Sequence, residues 1–485
     1  MARTAELTPM LRHYLELKAA HPDCILLYRM GDFFELFFED AIRVAPILEV
    51  TLTARQKGTE NETPMCGVPH HAIEGYIGKL LRAGLKVAVC DQVEDPAQAK
   101  GLVRREITRI VTPGTVSEPA LLDGKEENLL AAVAWSKDAR VGGGAAFLDV
   151  STGAFFVRRF AGESEALEDL RMLRPREALL LGEEIPGAVR AWAKKDCLSH
   201  TEIDPTQALD ARRSEELLLR HFGAATLRGF GLESGEPAVH AAAEALSYAR
   251  DTQHNPLSHV RGLTLRETRD TLALDSTTLA NLEVLQTQRE GAKRGSLLGV
   301  LDQTVTSPGG RMLRDWLRRP LRDPEGIERR HRAVGELVQD HELLGRLRER
   351  LARVGDPERL LGRSVLGTLT PREAAALRDG LAVAPEILAD LSGCAAPLLA
   401  ELARVDALPG LHAELARMLQ DSPSASLSDG GVIAAGVDNE LDRCRSLAQD
   451  SKRHILAVEQ RERERTGISS LKIRYNRVFG YYIEI

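Results

Sequence analysis

The chain has 485 residues, 43% of them hydrophobic and only 4% aromatic, a length that suits roughly three or four domains with separate cores. A formal charge of −7 excludes a protein coated in positive charge, so any nucleic-acid contact has to rest on local patches. The six cysteines are widely spaced with no Cys-x-x-Cys pair, and neither a signal-peptide core nor an apolar run of membrane-spanning length is present. That excludes zinc and disulfide frameworks and fits a cytoplasmic protein. Leu, Ala, Arg and Glu abound, which favours a largely helical protein; the elements taken in chain order below make the expected fold class multidomain α/β plus α.

Helical spacing of Met10, Leu11, Tyr14, Leu15 and Leu17, with Thr8 and Pro9 as start signals, predicts a helix to Ala20. The apolar run Cys24 to Tyr28 reads as a strand. After it, Gly31-Asp32-Phe33-Phe34-Glu35 opens a stretch holding Phe33, Phe34, Phe37 and Phe38, four of the eleven phenylalanines. Spacing of four predicts a helix with two neighbouring aromatic stripes, one facing the core and one left over. Two readings fit those rings: ordinary core packing, or an apolar wedge that enters a base stack. Glu35 fits either dipole compensation at a helix start or a hydrogen bond to a base edge.

A second strand is expected around Ile47 to Leu52, then a polar turn from Thr53 to Gly58 bearing Arg55 and Lys57. Pro64 to His71 reads as an irregular loop, because two prolines and a glycine punctuate it, leading into a helix from Ala72 to Leu81. His70 and His71 lack a third ligand, so a metal reading is set aside. Further strands at Leu85 to Cys90 and Glu106 to Val111 complete a small mixed α/β domain.

Gly142-Gly143-Gly144 lacks the lysine and spacing of a phosphate loop and reads as a turn. The runs Ala145 to Val150 and Ala154 to Phe160 read as a hairpin. Asp149 lies near a strand end, as in carboxylate-dependent nucleases, but no partner acids are evident, which favours a structural carboxylate. From Thr264 to about Leu427 helix follows helix. In Ser307 to Asp323, Leu313, Trp316 and Leu317 share one face, expected to be the core side of a helix with a charged outer face, while the arginines stay solvated or pair with acids.

A long amphipathic helix is expected from Ala435 to Arg465, then a strand pattern in Ser470 to Ile485. From Lys452 onward eight cations face four anions. Lys472 to Tyr482 contains no acid, and its cations alternate with Tyr475, Phe479, Tyr481 and Tyr482, which suits a phosphate backbone. A solvated strand edge guarded by charge is the rival. The chain stops at Ile485 inside this run, so it reads as a fragment.

Together these blocks resemble the MutS family of DNA mismatch-repair proteins. The carriers are Tyr28 to Phe37, Pro64 to His71, Ile110 to Thr115, Leu274 to Glu283, Ser307 to Asp323, Asp429 to Ile433, and Arg461 to Ile485, in the family's order. The resemblance implies a mismatch-binding domain over 1–115 and a ribonuclease-H-like connector without nuclease chemistry over 116–256. A long-helix core or lever over 257–440 and the start of a clamp domain over 441–485 would follow. It implies that Phe33 stacks on a mispaired base and Glu35 hydrogen-bonds to it. Arg55 and Lys57 would contact the backbone, Met65, Gly67 and Pro69 would lie along the groove, and Lys472, Arg474, Asn476 and Arg477 would hold the clamped duplex. Implied partners are double-stranded DNA with mismatches or small loops, a homodimer and a MutL-type repair protein, at the nucleoid. No cofactor is expected in this chain: ATP and magnesium belong to a C-terminal ATPase of the family, and no Gly-x-x-x-x-Gly-Lys-Ser/Thr occurs here. The rival classes are a metal-dependent nuclease or DNA-processing enzyme using the second domain, and a helical scaffold that never touches DNA.

Overall fold

A computed structural model describes residues 8–56, 62–94, 104–138, 140–267, 271–272, 274–449, 451–476 and 480–485. The chain divides into two compact units, one running to Leu369 with Val383–Val405, the other comprising Thr370–Ala382 with Asp406–Ile485.

The first unit opens with α1 (Pro9–Ala20), its Thr8 side chain accepting from the Leu11 N–H as an N-cap. Then come β1 (Cys24–Met30), β2 (Phe33–Phe37), α2 (Phe38–Leu48), β3 (Thr53–Arg55), β4 (Thr63–Pro69), α3 (Ile73–Arg82), β5 (Lys86–Gln92) and β6 (Arg105–Val111). The strands form one sheet in the order β3-β4-β2-β1-β5-β6. One face packs on α2 and α3 through Ile25, Leu27, Phe34, Leu36, Val44 and Leu80. The other packs on α1 through Leu26, Tyr28, Phe37, Met10 and Tyr14.

Four expectations fail here. The phenylalanine stretch is a strand, and the helix begins only at Phe38. The spacing of four hid a period of two: Phe34 and Leu36 point to one face while Phe33, Glu35 and Phe37 point to the other. Residues 47–48 end α2, and the expected polar turn supplies the strand β3. The proline-bearing loop is β4, which pairs β2 on one side and β3 on the other, from Phe33↔Pro69 to Phe37↔Met65 and from Thr53↔Met65 to Arg55↔Thr63. Proline is tolerated at residues 64 and 69 because they lie at the ends of the strand.

The second sheet has the order β11-β10-β7-β8-β9-β12. Its members are β7 (Leu130–Trp135), β8 (Gly143–Asp149), β9 (Ala154–Phe160), β10 (Glu177–Leu181), β11 (Ser199–Ile203) and β12 (Thr264–Leu265). Strands β8 and β9 form the antiparallel hairpin the sequence predicts, β7 pairs antiparallel with β8, β10 runs parallel to β7 and β11 parallel to β10. Helices α4 (Glu163–Leu173) and α5 (Gly187–Lys195) cover one face; α6 (Ala211–Phe222) and α7 (Pro237–Gln253) cover the other. The glycine triplet is more than a turn: a Cβ on Gly144 would sit 2.3 Å from the Ala238 nitrogen, so a bare residue lets α7 lie on the sheet.

The two sheets meet at a buried ionic knot. Lys86 lies 3.1 Å from Asp23 and 3.5 Å from Glu177, Tyr248 donates to Glu177 at 2.6 Å, and the Gly114 N–H donates to it at 3.0 Å. Each acceptor is filled, which is what allows a fully buried glutamate to persist.

A helical body follows: α8 (Ser276–Asn281), α9 (Leu297–Leu301), α10 (Ser307–Arg318), α11 (Pro324–Gln339), α12 (His341–Leu351) and α13 (Pro357–Leu366). On α10 the arginines pair with acids, one of the two outcomes expected for them, and the expected core face is only partly covered, with Leu313 and Leu317 half-buried. Arg311 and Arg318 are buried while Met312 and Trp316 are exposed, the Trp316 ring covered by the Arg330 guanidinium at 3.6 Å. Beyond α14 (Pro371–Leu391) and α15 (Pro397–Leu402), the second unit holds α16 (Pro409–Met418), α17 (Asn439–Gln449) and α18 (Ser451–Thr466). The expected long helix is helical over 439–449 and 451–466, and residue 450 lies outside the described residues. Strands β13 (Lys472–Asn476) and β14 (Gly480–Glu484) pair antiparallel. Among the described residues no helix is long and apolar enough to cross a membrane.

Candidate nucleic-acid interface

Between β1 and β2 stand only Gly31 and Asp32, with Gly31 at φ +58°, a conformation glycine adopts without strain and two-residue hairpins require. The turn is tied to the end of β4, where the His70 N–H donates to the Asp32 carbonyl at 2.9 Å. Phe33 is therefore the first residue of a strand pinned on both sides. The α1 helix covers the same face only as far as Phe37, whose ring meets Tyr14 edge-on at 5.1 Å. Tyr14 in turn donates to Asp40 at 3.3 Å, and Asp40 accepts the Leu26 N–H at 3.0 Å, so the covered end is locked. Phe33 lies beyond that cover and is 48% exposed.

Pairing of β2 with β4 puts Pro69 opposite Phe33, Gly67 opposite Glu35 and Met65 opposite Phe37. Directly paired residues share a face. Phe33, Glu35, Met65, Gly67 and Pro69 are thereby gathered on one face, and Arg55 joins them because it pairs with Thr63 on β4. A Cβ at Gly67 would touch Glu35 Cγ at 3.7 Å and Phe33 Cδ1 at 3.9 Å, so the glycine leaves the two side chains side by side with little above them. Met30, paired with Phe33 from β1, belongs to the same face. The sequence reading missed it because the strand was expected to end at Tyr28.

Glu35 is unusual within this face. Its Oε2 is sealed from solvent and has no hydrogen-bond partner, and the nearest cation, Arg55 Nη1, stands 3.9 Å away. Burial pushes its pKa above the ordinary carboxylate value and Arg55 only partly opposes it. A carboxyl in that state takes up a proton more readily than a solvated one and then offers a donor.

The clamp candidates belong to the second unit. Lys472 and Arg474 lie on β13, and Arg474 Nε pairs across the hairpin with Glu484 at 2.7 Å. Lys57 and Arg477 lie outside the described residues, as does the side chain of Asn476. Asp149 accepts from the Asn128 N–H at 3.0 Å and from the Ser151 N–H and hydroxyl at 2.9 and 2.6 Å. Its acceptors are engaged within the protein, and no group of three or more His, Cys, Asp or Glu suited to a metal occurs among the described residues.

Three family models match the chain in order: MutS domain I over residues 8–120, MutS domain II over 128–261 and MutS domain III over 277–472. The DNA mismatch repair protein MutS of Myxococcus xanthus is 45% identical over 99% of this chain and 54% of its own length. That of Symbiobacterium thermophilum is 44% identical over 99% of this chain and 55% of its own. The chain spans about half the length of the curated relatives it matches. Its multidomain mixed α/β fold, with a mismatch-binding, a connector and a helical domain, agrees with that order. The chain belongs to the MutS family.

Proposed function

We propose that this chain recognises mispaired or unpaired bases in double-stranded DNA and so serves the initiation of mismatch repair. The observation that carries the reading is the uncovered end of β2: a half-exposed phenylalanine beside a carboxyl with unused hydrogen-bonding capacity. A mispair stacks poorly, so a duplex unstacks and kinks there most cheaply, and Phe33 enters at that step. Base–aromatic stacking of about 1–3 kcal/mol is comparable with the few kcal/mol needed to unstack a step. The wedge alone therefore discriminates modestly. Glu35, carrying a proton, donates to an acceptor on the displaced base; left ionised, it repels the phosphates of a duplex that offers no such base. Arg55 and Lys57 neutralise phosphates nearby, and Met65, Gly67 and Pro69 lie along the groove.

The same reading extends to the rest of the chain. The second sheet is a ribonuclease-H-like connector without nuclease chemistry, which its order β9-β8-β7-β10-β11 supports, three antiparallel strands followed by two parallel to β7. Lys472, Arg474, Asn476 and Arg477 begin a clamp on the duplex, and the working form is a homodimer that meets a MutL-type protein. ATP and magnesium serve the whole proteins of this family. The sequence here carries no P-loop, so its residues do not fit a nucleotide and no step is derived through one.

Competition between a mispaired and a fully paired duplex for the full chain, followed by fluorescence anisotropy across a salt series, tests the reading. Preference for the mispaired duplex is expected at every salt concentration. Equal affinity throughout overturns it.

A further inference from the structure

The segment Asp123–Asn128 leads from the first sheet into β7, and the helical body grips it largely by its main chain. Arg359 on α13 donates from Nη1 to the Asp123 carbonyl at 2.8 Å and from Nη2 to the Glu126 carbonyl at 2.7 Å. Its Nε reaches Ser151 Oγ, just beyond β8, at 3.2 Å. Arg311 on α10 donates to the Gly124 carbonyl at 2.8 Å while Asp356 and Glu358 hold the rest of its guanidinium. Side-chain pairs close the grip: Arg314 with Glu126 at 2.9 Å, Arg318 with Glu127 at 3.0 Å, and Lys125 with Asp302 at 3.0 Å. Contact is equally close in packing. A Cβ on Gly310 would lie 2.5 Å from the Lys125 stem, so the Pro-Gly-Gly start of α10 is bare where the segment crosses it.

Arg311 and Arg359 are each only 6% exposed. A guanidinium at that depth is tolerated when its N–H groups find acceptors, and here backbone carbonyls of the crossing segment supply them. Because the fork is planar and rigid, bridging the carbonyls of Asp123 and Glu126 holds the intervening backbone in one conformation. The hold passes onward through Asn128, whose Nδ2 donates to the Pro113 carbonyl at 3.0 Å, just after β6 of the first sheet. A run of direct contacts thus leads from α13 to the sheet that carries Phe33.

Resting on the reading of the Phe33 face as the mismatch-contacting surface, we propose that Arg311 and Arg359 are positioning residues. By clasping Asp123–Asn128 they set where the first sheet stands on the helical body, and with it the angle at which Phe33 meets a duplex. Neither arginine touches DNA in this scheme.

The test measures the distance distribution between spin labels at Arg43→Cys on α2 and Glu349→Cys on α12, in the full chain with Cys197→Ser and Cys444→Ser. One narrow distribution is expected for the parent and a broad one for Arg359→Lys, whose single ammonium replaces a fork that bridges two carbonyls. Gly310→Ala keeps or raises the helix propensity of α10 while pushing a methyl into Lys125. It should shift the distribution, and it carries the test if Arg359→Lys does not fold by circular dichroism. In the same variants, preference for a mispaired over a paired duplex should fall about tenfold, the scale of one charge-assisted hydrogen bond, with affinity for paired DNA unchanged. Unchanged distributions in folded variants overturn the proposal, and so does a broadened distribution with full preference. If the parent itself shows no preference, the recognition reading falls, and the distances still decide whether the clasp sets the position of the sheet.

Discussion

Glu35 in β2 and Asp149 at the end of β8 are acids on two sheets of the same unit, and their surroundings are opposite. Asp149 is fully buried and receives three donors from Asn128 and Ser151. Glu35 keeps an oxygen that is equally hidden from water yet receives none. A buried acceptor left empty costs roughly 1–3 kcal/mol, so the chain tolerates at β2 what it avoids at β8. The lesson is that depth does not set these two acids apart. What differs is the hydrogen-bond set: that of Asp149 is finished, while that of Glu35 stays open beside an exposed aromatic, the feature the proposed recognition role uses.

That contrast is easiest to break at Asp149. Asp149→Ala should destabilise the protein by about 3 kcal/mol, because it strands the buried donors of Asn128 and Ser151; a shift of the urea midpoint measures it. An unchanged midpoint would mean that the three bonds are not structural. Phe33→Ala should do the reverse. Losing a half-exposed ring leaves stability within about 0.5 kcal/mol, whereas losing its stacking removes roughly 1–3 kcal/mol of mismatch binding. Anisotropy titrations that retain the preference would remove Phe33 from the wedge role.

Glu35→Gln sharpens the comparison through pH. The folded state raises the Glu35 pKa, so it holds the proton more tightly than the unfolded chain. Below the unfolded carboxyl pKa both states are protonated and the parent matches the variant. As pH rises through the unfolded and then the raised folded value, the parent loses stability that the glutamine variant keeps. Urea unfolding at about pH 4 and about pH 7 should show the variant gaining on the parent as pH rises. At neutral pH it should also bind fully paired DNA more tightly, since a repelling charge is gone. A gap that closes as pH rises would contradict the burial argument. Gly67→Ala should have the smallest effect, under about 0.5 kcal/mol. The added methyl meets the Phe34 carbonyl oxygen at 3.5 Å, an ordinary contact, and a melting temperature several degrees lower would show that the face is tighter than its geometry implies.

Much of the molecule was legible along the chain. Thr8 and Pro9 start α1, Ala145 to Val150 and Ala154 to Phe160 form the hairpin, and the absence of partner acids near Asp149 foretold a structural carboxylate. The Phe33 neighbourhood was legible in its members and misread in its form. Phenylalanines at positions 33, 34, 37 and 38 satisfy a period of four and, with Glu35 and Leu36 between them, a period of two. Only pairing with β1 and β4 selects the strand, and that selection gathers Arg55, Met65, Gly67 and Pro69 onto the face of Phe33 and Glu35.

The burial of the α10 arginines has the same origin. Along the chain its arginines fit a solvated face as well as ion pairs, until the carbonyls and acids of Asp123–Asn128 are brought beside them from almost two hundred residues away. Local order in the sequence determined which helices and strands start where, because caps, turns and periodicity act over a few residues. Which side of each element is inside was decided only by tertiary structure, because burial depends on what a distant segment offers in exchange for water.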